Sequence, residues 1–136
     1  MTVTIDLNVF LDVFLERGDF LAEATVLSLS DEKIIQGCIP SHGIPTLYYI
    51  LCKTLRHSIA VEYITKILEN MIILPVDKAI LQKAFSLNFP DYEDAVVAVA
   101  AEISNSEYIG TNNLKDFQTS KVPAISPKQF LQIIEV

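Results

Sequence analysis

An α/β fold, built as a single three-layer α/β/α domain around a central, mainly parallel sheet, is what this sequence predicts, and three observations predict it. Short apolar stretches alternate with helix-length amphipathic ones from end to end, the pattern of a parallel sheet covered on both faces. The stretches IIQGCI and MIILPV are apolar on both alternating sides, as strands buried between two layers are. The piece DAVVAVAAEI is rich in Ala and Val, side chains small enough for close packing against a sheet. No linker, low-complexity tract or internal repeat interrupts the order, so one domain over residues 1–136 is expected.

VTID alternates as a short first strand, and NVFLDVFLE places Val9, Phe10, Val13 and Phe14 on one helical face. Arg17, Gly18 and Asp19 read as a turn. A helical pattern then runs from Phe20 to about Glu32, and IIQGCI reads as a second, buried strand ending at Pro40. An amphipathic helix is expected over Ile44 to Arg56, with Pro45 in the first turn, where proline is tolerated. Another covers Ile59 to Glu69, and MIILPV is a third strand closed by Pro75. Asp77 is a good cap for a helix through Phe85. NFPDYEDAVVAVAAEIS is a helix start followed by the Ala/Val-rich turns. Last come a short strand at YIGT, a polar turn at NNLKD, an edge strand at PAI and a helix from Pro127.

At 136 residues the chain is about one domain long, and its 51% hydrophobic content and mean hydropathy of +0.38 leave apolar surface over for a partner. No apolar run reaches the roughly 18 residues that span a bilayer. No basic-then-apolar leader opens the chain, so a cytoplasmic protein without a membrane partner is expected. Cys38 and Cys52 have neither metal-ligand nor redox spacing and are expected to be reduced and buried. A net charge of −7, from 17 acidic and 10 basic residues, argues against a protein that holds nucleic acid mainly by neutralising phosphates. Nucleic acid is not thereby excluded, because a divalent ion in a carboxylate cluster reverses the local sign.

Ligands of such folds sit beyond the carboxyl ends of the strands, and acids collect at that edge. Asp6 interrupts the apolar run TIDLNVFLD; a buried carboxylate there needs a hydrogen bond, a cation or a metal. Asp116 lies in the turn after YIGT, and Asp91 and Asp94 open the Ala/Val-rich helix. Asp6, Asp94 and Asp116 at one rim would raise one another's pKa, so a cation is expected among them. Hard oxygen ligands point to Mg²⁺ or Mn²⁺. Zinc is disfavoured, since His42 and His57 show no ligand spacing with each other or with either cysteine. Each acid also has an ordinary explanation of its own. Asp6 can bond the amides that open the next helix, Asp91 can cap a helix with Asp94 at its third position, and Asp116 can be a turn residue. Asp12 and Glu93 are expected to be solvated, and His42 and His57 structural or exposed.

Read in order, IDLNVFLD, DYEDAVVAVAA and TNNLKDF resemble the PIN domain, a family that includes metal-dependent ribonucleases and the VapC-type toxins of bacterial toxin-antitoxin pairs. The resemblance covers nearly the whole chain. The D-x-x-D-A and T-x-N-x-x-D-F motifs are weak singly and strong together, and HGIPTLYYIL looks like the helix after the second strand in a tyrosine-rich subgroup. The resemblance implies that Asp6, Asp94 and Asp116 are the catalytic acids and hold Mg²⁺ or Mn²⁺. It implies that Asn8 orders the loop beside Asp6, that Asp91 is auxiliary, and that Thr111 and Asn113 are polar supports. A homodimer and an antitoxin partner are implied as well. Where many relatives carry an acid on the third helix, this sequence has Thr46, at best a hydroxyl ligand or water holder.

What the resemblance implies is an endoribonuclease leaving 5′-phosphate and 3′-hydroxyl ends. Single-stranded or looped RNA suits a rim site, because its backbone can bend and its bases can splay. Lys53, Arg56 and Lys115 are basic residues available to it. The charge missing at Thr46 weakens a second metal more than the first. It also opens an alternative, a PIN-fold module of weak or no activity that binds RNA or a protein. A receiver-like or phosphatase-like α/β domain shares acidic strand ends, but no nucleophile context supports it.

Overall fold

The structure is a computed structural model that describes residues 1–134; the last two positions of the expected domain span lie outside the described residues. The chain begins with β1 (Thr2–Ile5), whose residues are all β-branched and so favour a pleated strand. Its pleat sends Val3 and Ile5 to one face and Thr4 to the other, where Thr4 Oγ1 and Ser106 Oγ share a hydrogen bond of 2.7 Å. There follow α1 (Leu7–Phe14), α2 (Leu21–Asp31), β2 (Gln36–Pro40), α3 (Gly43–Thr54), α4 (His57–Asn70) and β3 (Ile72–Leu74). The second part comprises α5 (Lys78–Ser86), α6 (Tyr92–Ile103), β4 (Tyr108–Gly110), a 3-10 turn (Leu114–Phe117), β5 (Ala124–Ile125) and α7 (Pro127–Ile134).

The five strands lie in the order β3-β2-β1-β4-β5 and every pair is parallel. Parallel strands buried on both faces require two covering layers, and the chain supplies them. Helices α1 to α4 and α7 enclose one core around Val3, Ile5, Phe10, Leu47, Leu51 and Phe130. On the opposite face α5 and α6 close over Ile109, Ala98 and Ala101, and over Ile80, Val96 and Val99. Residues 95–101 of α6 are buried all round, as a helix wedged between a sheet and a second helix must be. Its small side chains permit the close approach.

The expected caps form. Asp77 Oδ1 accepts from the Ile80 N–H at 3.0 Å and Asp91 Oδ1 from the Asp94 N–H at 3.3 Å. Asn88 and Asn105, after α5 and α6, take φ of 60° and 57°, left-handed values that end a helix and that Asn tolerates well. Three expectations need correction. The polar stretch NNLKD is not a plain turn but leads into a 3-10 turn, pinned by buried Phe117. The second strand starts at Gln36, because Lys33 turns the chain at φ 61° and leaves Ile34 exposed. Cys52 is exposed, on the outward side of α3 next to buried Leu51, whereas Cys38 is buried and its thiol is pushed up to about 11 by that burial.

The topology leaves one crevice. From β1 the chain moves to β2 on one side, and from β4 it moves to β5 on the other, while β1 and β4 are neighbours. Their carboxyl ends therefore form the switch point at which open α/β sheets bind ligands. Strand register carries the ladder to that rim: the Asp6 N–H donates to Gly110 O at 2.9 Å, and the Thr111 N–H to Ile125 O at 3.0 Å.

Candidate active site

Asp6 is the residue at which β1 ends and α1 begins. It occupies the N-cap position of α1, yet its carboxylate makes no capping bond deeper in the helix. Oδ2 instead accepts from Thr111 Oγ1 at 2.8 Å across the switch point. Thr111 Oγ1 in turn accepts from the Asn113 N–H at 3.0 Å, so its own proton is aimed at Asp6. Asp6 is 5% exposed and Thr111 fully buried, which makes this a committed interaction rather than a surface one. Burial raises the Asp6 pKa, the Thr111 hydroxyl, the Leu7 amide and the Asn8 side chain oppose that rise, and the charge of Asp116 adds to it. Asn8 thus sits beside Asp6, in the first turn of α1.

The half-buried Asp94 lies in the first turn of α6, held there by the Asp91 cap. Its carboxyl is pushed up to about 7, first by burial and then by the charges of Asp91, Asp6, Asp116 and Glu93. The candidate acids are therefore gathered at one rim. Asp116 is exposed on the 3-10 turn after β4, and its charge reaches both Asp6 and Asp94. A cleft of about 30 Å³ is lined by Asp6, Glu93, Asp94 and His42, among apolar neighbours that include Ile5, Pro40 and Val97. One water needs roughly 10–15 Å³ on this measure, so the cleft has room for an ion or a water and none for a base.

Two residues outside the expected ligand set line this cleft. Glu93 is exposed as anticipated, but it borders the cleft beside Asp94. His42, read from sequence as structural or exposed, stands just past the end of β2 at the N-cap of α3, half-buried, with Nδ1 out of solvent and without a hydrogen-bond partner. Burial lowers its pKa, and the charge of Glu93 opposes this. The signal for His42 was its position, immediately after the strand that pairs with β1. Asp12, expected to be solvated, is half-buried and accepts from Asn112 Nδ2 at 3.4 Å.

Thr46 does not line the cleft. Its hydroxyl donates to His42 O at 3.4 Å, one turn back in its own helix. Lys53, over the Tyr49 ring at 4.5 Å, and Arg56 lie at the far end of α3, roughly 15–20 Å from His42 at 1.5 Å per residue. Lys115 shares the 3-10 turn with Asp116.

Among the described residues no group of three or more His, Cys, Asp or Glu side chains converges closely enough to enclose a metal as it stands. The donor set nevertheless fits a hard divalent ion. Mg²⁺ and Mn²⁺ keep several waters and need only one or two direct carboxylates, and none of the described ion pairs neutralises these acids. Asp6 and Asp94 are the inner candidates and Asp116 the outer one.

A family model for the PIN domain matches residues 2–115, which span Asp6, Asp94 and Thr111 and end one residue before Asp116. Among solved structures, VapBC2 from Rickettsia felis bound to a promoter DNA fragment aligns with a TM-score of 0.73 at 17% identity, covering 93% of this chain and 98% of that one. DNA-bound VapBC from Salmonella typhimurium aligns with a TM-score of 0.71 at 16% identity over 93% and 98%. Mycobacterium tuberculosis VapC20, a sarcin-ricin loop cleaving toxin, aligns with a TM-score of 0.62 at 13% identity over 79% and 86%. A comparison with curated protein sequences finds no match. At these identities the structural likeness speaks for the fold, while the family model spans most of the chain: this chain belongs to the PIN domain family.

Proposed function

We propose that the chain is a Mg²⁺- or Mn²⁺-dependent endoribonuclease and the toxin of a toxin-antitoxin pair. The observation that carries this reading is the environment of Asp94, whose carboxyl is held near pH 7 by burial and by four neighbouring acids with no cationic side chain opposing them. Clustered carboxylates of this kind are costly unless a cation joins them. Asp6, Asp94 and Asp116 would hold the ion, directly or through water. When bound, it polarises the scissile phosphate, assists a water toward hydroxide and offsets the charge of an in-line displacement.

The remaining work falls to the chain. Thr111, fixed by the Asn113 amide, holds the Asp6 carboxylate in one orientation. The Asp91 cap sets the first turn of α6 and hence the place of Asp94. The cleft is too small for a base, so RNA would lie across the rim with its backbone over the acids, which suits single-stranded or looped RNA. The sarcin-ricin loop cleavage named for VapC20 supports an RNA substrate, and the likeness to a toxin-antitoxin complex from Klebsiella pneumoniae supports an antitoxin partner. Exposed Leu21, Tyr49, Phe85 and Ile103 supply apolar surface for an antitoxin or a homodimer. No described helix is long and apolar enough to cross a membrane.

The test is Mn²⁺ titration by calorimetry of the full chain and of Asp6→Asn and Asp94→Asn, followed by RNA cleavage. Saturable binding and cleavage, both abolished in each folded variant, are expected. Retained cleavage in both purified variants overturns the assignment. One observation favours a second reading, a PIN-fold binding module without catalysis: α3 offers the cleft no carboxylate, because Thr46 faces its own helix backbone.

A further inference from the structure

We propose that His42 is a nitrogen ligand of this metal centre, taking the place of the carboxylate that α3 lacks and biasing the site toward Mn²⁺ over Mg²⁺. The inference rests on the metal-site reading above. Its first support is position: β2 pairs directly with β1, so a residue just past the end of β2 arrives at the same rim as Asp6. The second is the cleft, whose polar lining is His42, Asp6, Glu93 and Asp94.

The third support is the state of the ring. His42 Nδ1 lies out of solvent with no hydrogen-bond partner, and the side chain does not cap the helix that it begins. Buried polar atoms are nearly always satisfied, and an exception calls for a partner such as an ion. Thr46 Oγ1, bonded to His42 O, supports the turn that seats the ring. As they stand, His42 and the two aspartates do not close on a common point, so binding would draw them together by side-chain rotation, with waters completing the shell.

The chemical consequence is selectivity. Mg²⁺ demands hard oxygen donors, whereas an imidazole nitrogen suits the transition metals, of which Mn²⁺ keeps the strongest taste for carboxylate and water. One nitrogen among two or three carboxylates therefore raises Mn²⁺ affinity relative to Mg²⁺ without excluding either.

The test is pulsed electron paramagnetic resonance of the tag-free, Mn²⁺-loaded full chain, with calorimetric titrations of Mn²⁺ and Mg²⁺. Nitrogen-14 modulation from an imidazole is expected in the natural chain and in His57→Gln, which alters the other histidine, and is expected to vanish in His42→Gln. The ratio of Mn²⁺ to Mg²⁺ affinity should fall by roughly tenfold or more in His42→Gln, given that even residues behind the direct ligands cost 10–100-fold. Two results overturn His42 ligation while leaving the carboxylate site standing. One is nitrogen modulation that persists in His42→Gln. The other is its absence from a natural chain whose Mn²⁺ binding is still abolished by Asp6→Asn. No Mn²⁺ binding by the natural chain at millimolar metal overturns both readings. The resonance measurement uses the natural chain, so it decides even if His42→Gln does not fold.

Discussion

The Thr111 hydroxyl donates to Asp6 Oδ2 at 2.8 Å, joining residues 105 positions apart at the ends of two neighbouring strands. Both are buried, so Asp6 depends on this bond for its orientation. Thr111→Val keeps the shape and removes the donor. It should cost about 1–3 kcal/mol by urea unfolding, the usual penalty for leaving a buried polar group unsatisfied. Mn²⁺ affinity should fall roughly 10–100-fold by calorimetry, as when a group that orients a ligand is lost. Thr111→Ser should retain most of both properties, and losses in Thr111→Ser with Thr111→Val intact would mean that the methyl group, not the hydroxyl, is what matters.

Stability should depend on pH through Asp94. Its carboxyl lies near 7 in the folded chain, against an ordinary value of 3.8, owing to burial and then to the charges of Asp91, Asp6, Asp116 and Glu93. Between those values the folded chain binds a proton that the unfolded chain has released, so stability falls as pH rises through that window. In the presence of EDTA, the melting temperature of the natural chain should therefore drop between about pH 4 and pH 7 relative to that of Asp94→Asn. Mn²⁺ competes with the proton, so the melting temperature gained from added Mn²⁺ should grow as pH rises to 7. Parallel pH profiles for the natural chain and Asp94→Asn would sink this account.

The sheet and its order of helices were legible because each element carries its own signal: a β-branched run in β1, caps at Asp77 and Asp91, and small residues along α6. The three acids were legible for a similar reason, since each sits at a strand end or helix start. What the sequence hid are relationships that exist only once strands pair. Asp6 meets Thr111 because β4 lies beside β1, and His42 reaches the rim because β2 lies on the other side. No spacing rule marks His42, whose acidic neighbours in the cleft, Asp6, Glu93 and Asp94, lie far away in sequence. The 3-10 turn was hidden because its single buried anchor, Phe117, closes an otherwise polar stretch.

Packing beneath β2 should be sensitive without touching the site. A Cβ at Gly37 would collide with Ser30 Oγ and come within 2.8 Å of Met71 Cε, while the Gly37 N–H already donates to Ser30 Oγ at 3.2 Å. Met71 can bend aside at its end, but Ser30 is too short to yield. Gly37→Ala should destabilise the chain by about 1–3 kcal/mol in urea unfolding, the cost of overpacking a filled core. Mn²⁺ affinity should be unchanged, because Gly37 lies roughly 10 Å down the strand from Pro40 at the rim. A variant as stable as the natural chain would show that the α2 layer is looser than the contacts imply.

Thr46 decides between an enzyme and a silent relative. Its hydroxyl donates to His42 O at 3.4 Å and does not reach the cleft, so Thr46→Glu removes little and places a longer, charged side chain one turn from the rim. If His42 already completes the donor set, the added carboxylate has no vacant role. RNA cleavage should then stay within a few-fold of the natural rate, and a further unpaired acid should raise the Asp94 pKa again. Cleavage assays on single-stranded RNA with Mn²⁺, alongside the natural chain, provide the check. A gain on the order of a hundredfold, the scale of restoring a missing electrostatic group, would instead mean that the natural site lacks a charge it needs. The binding-module reading would then take precedence for this chain.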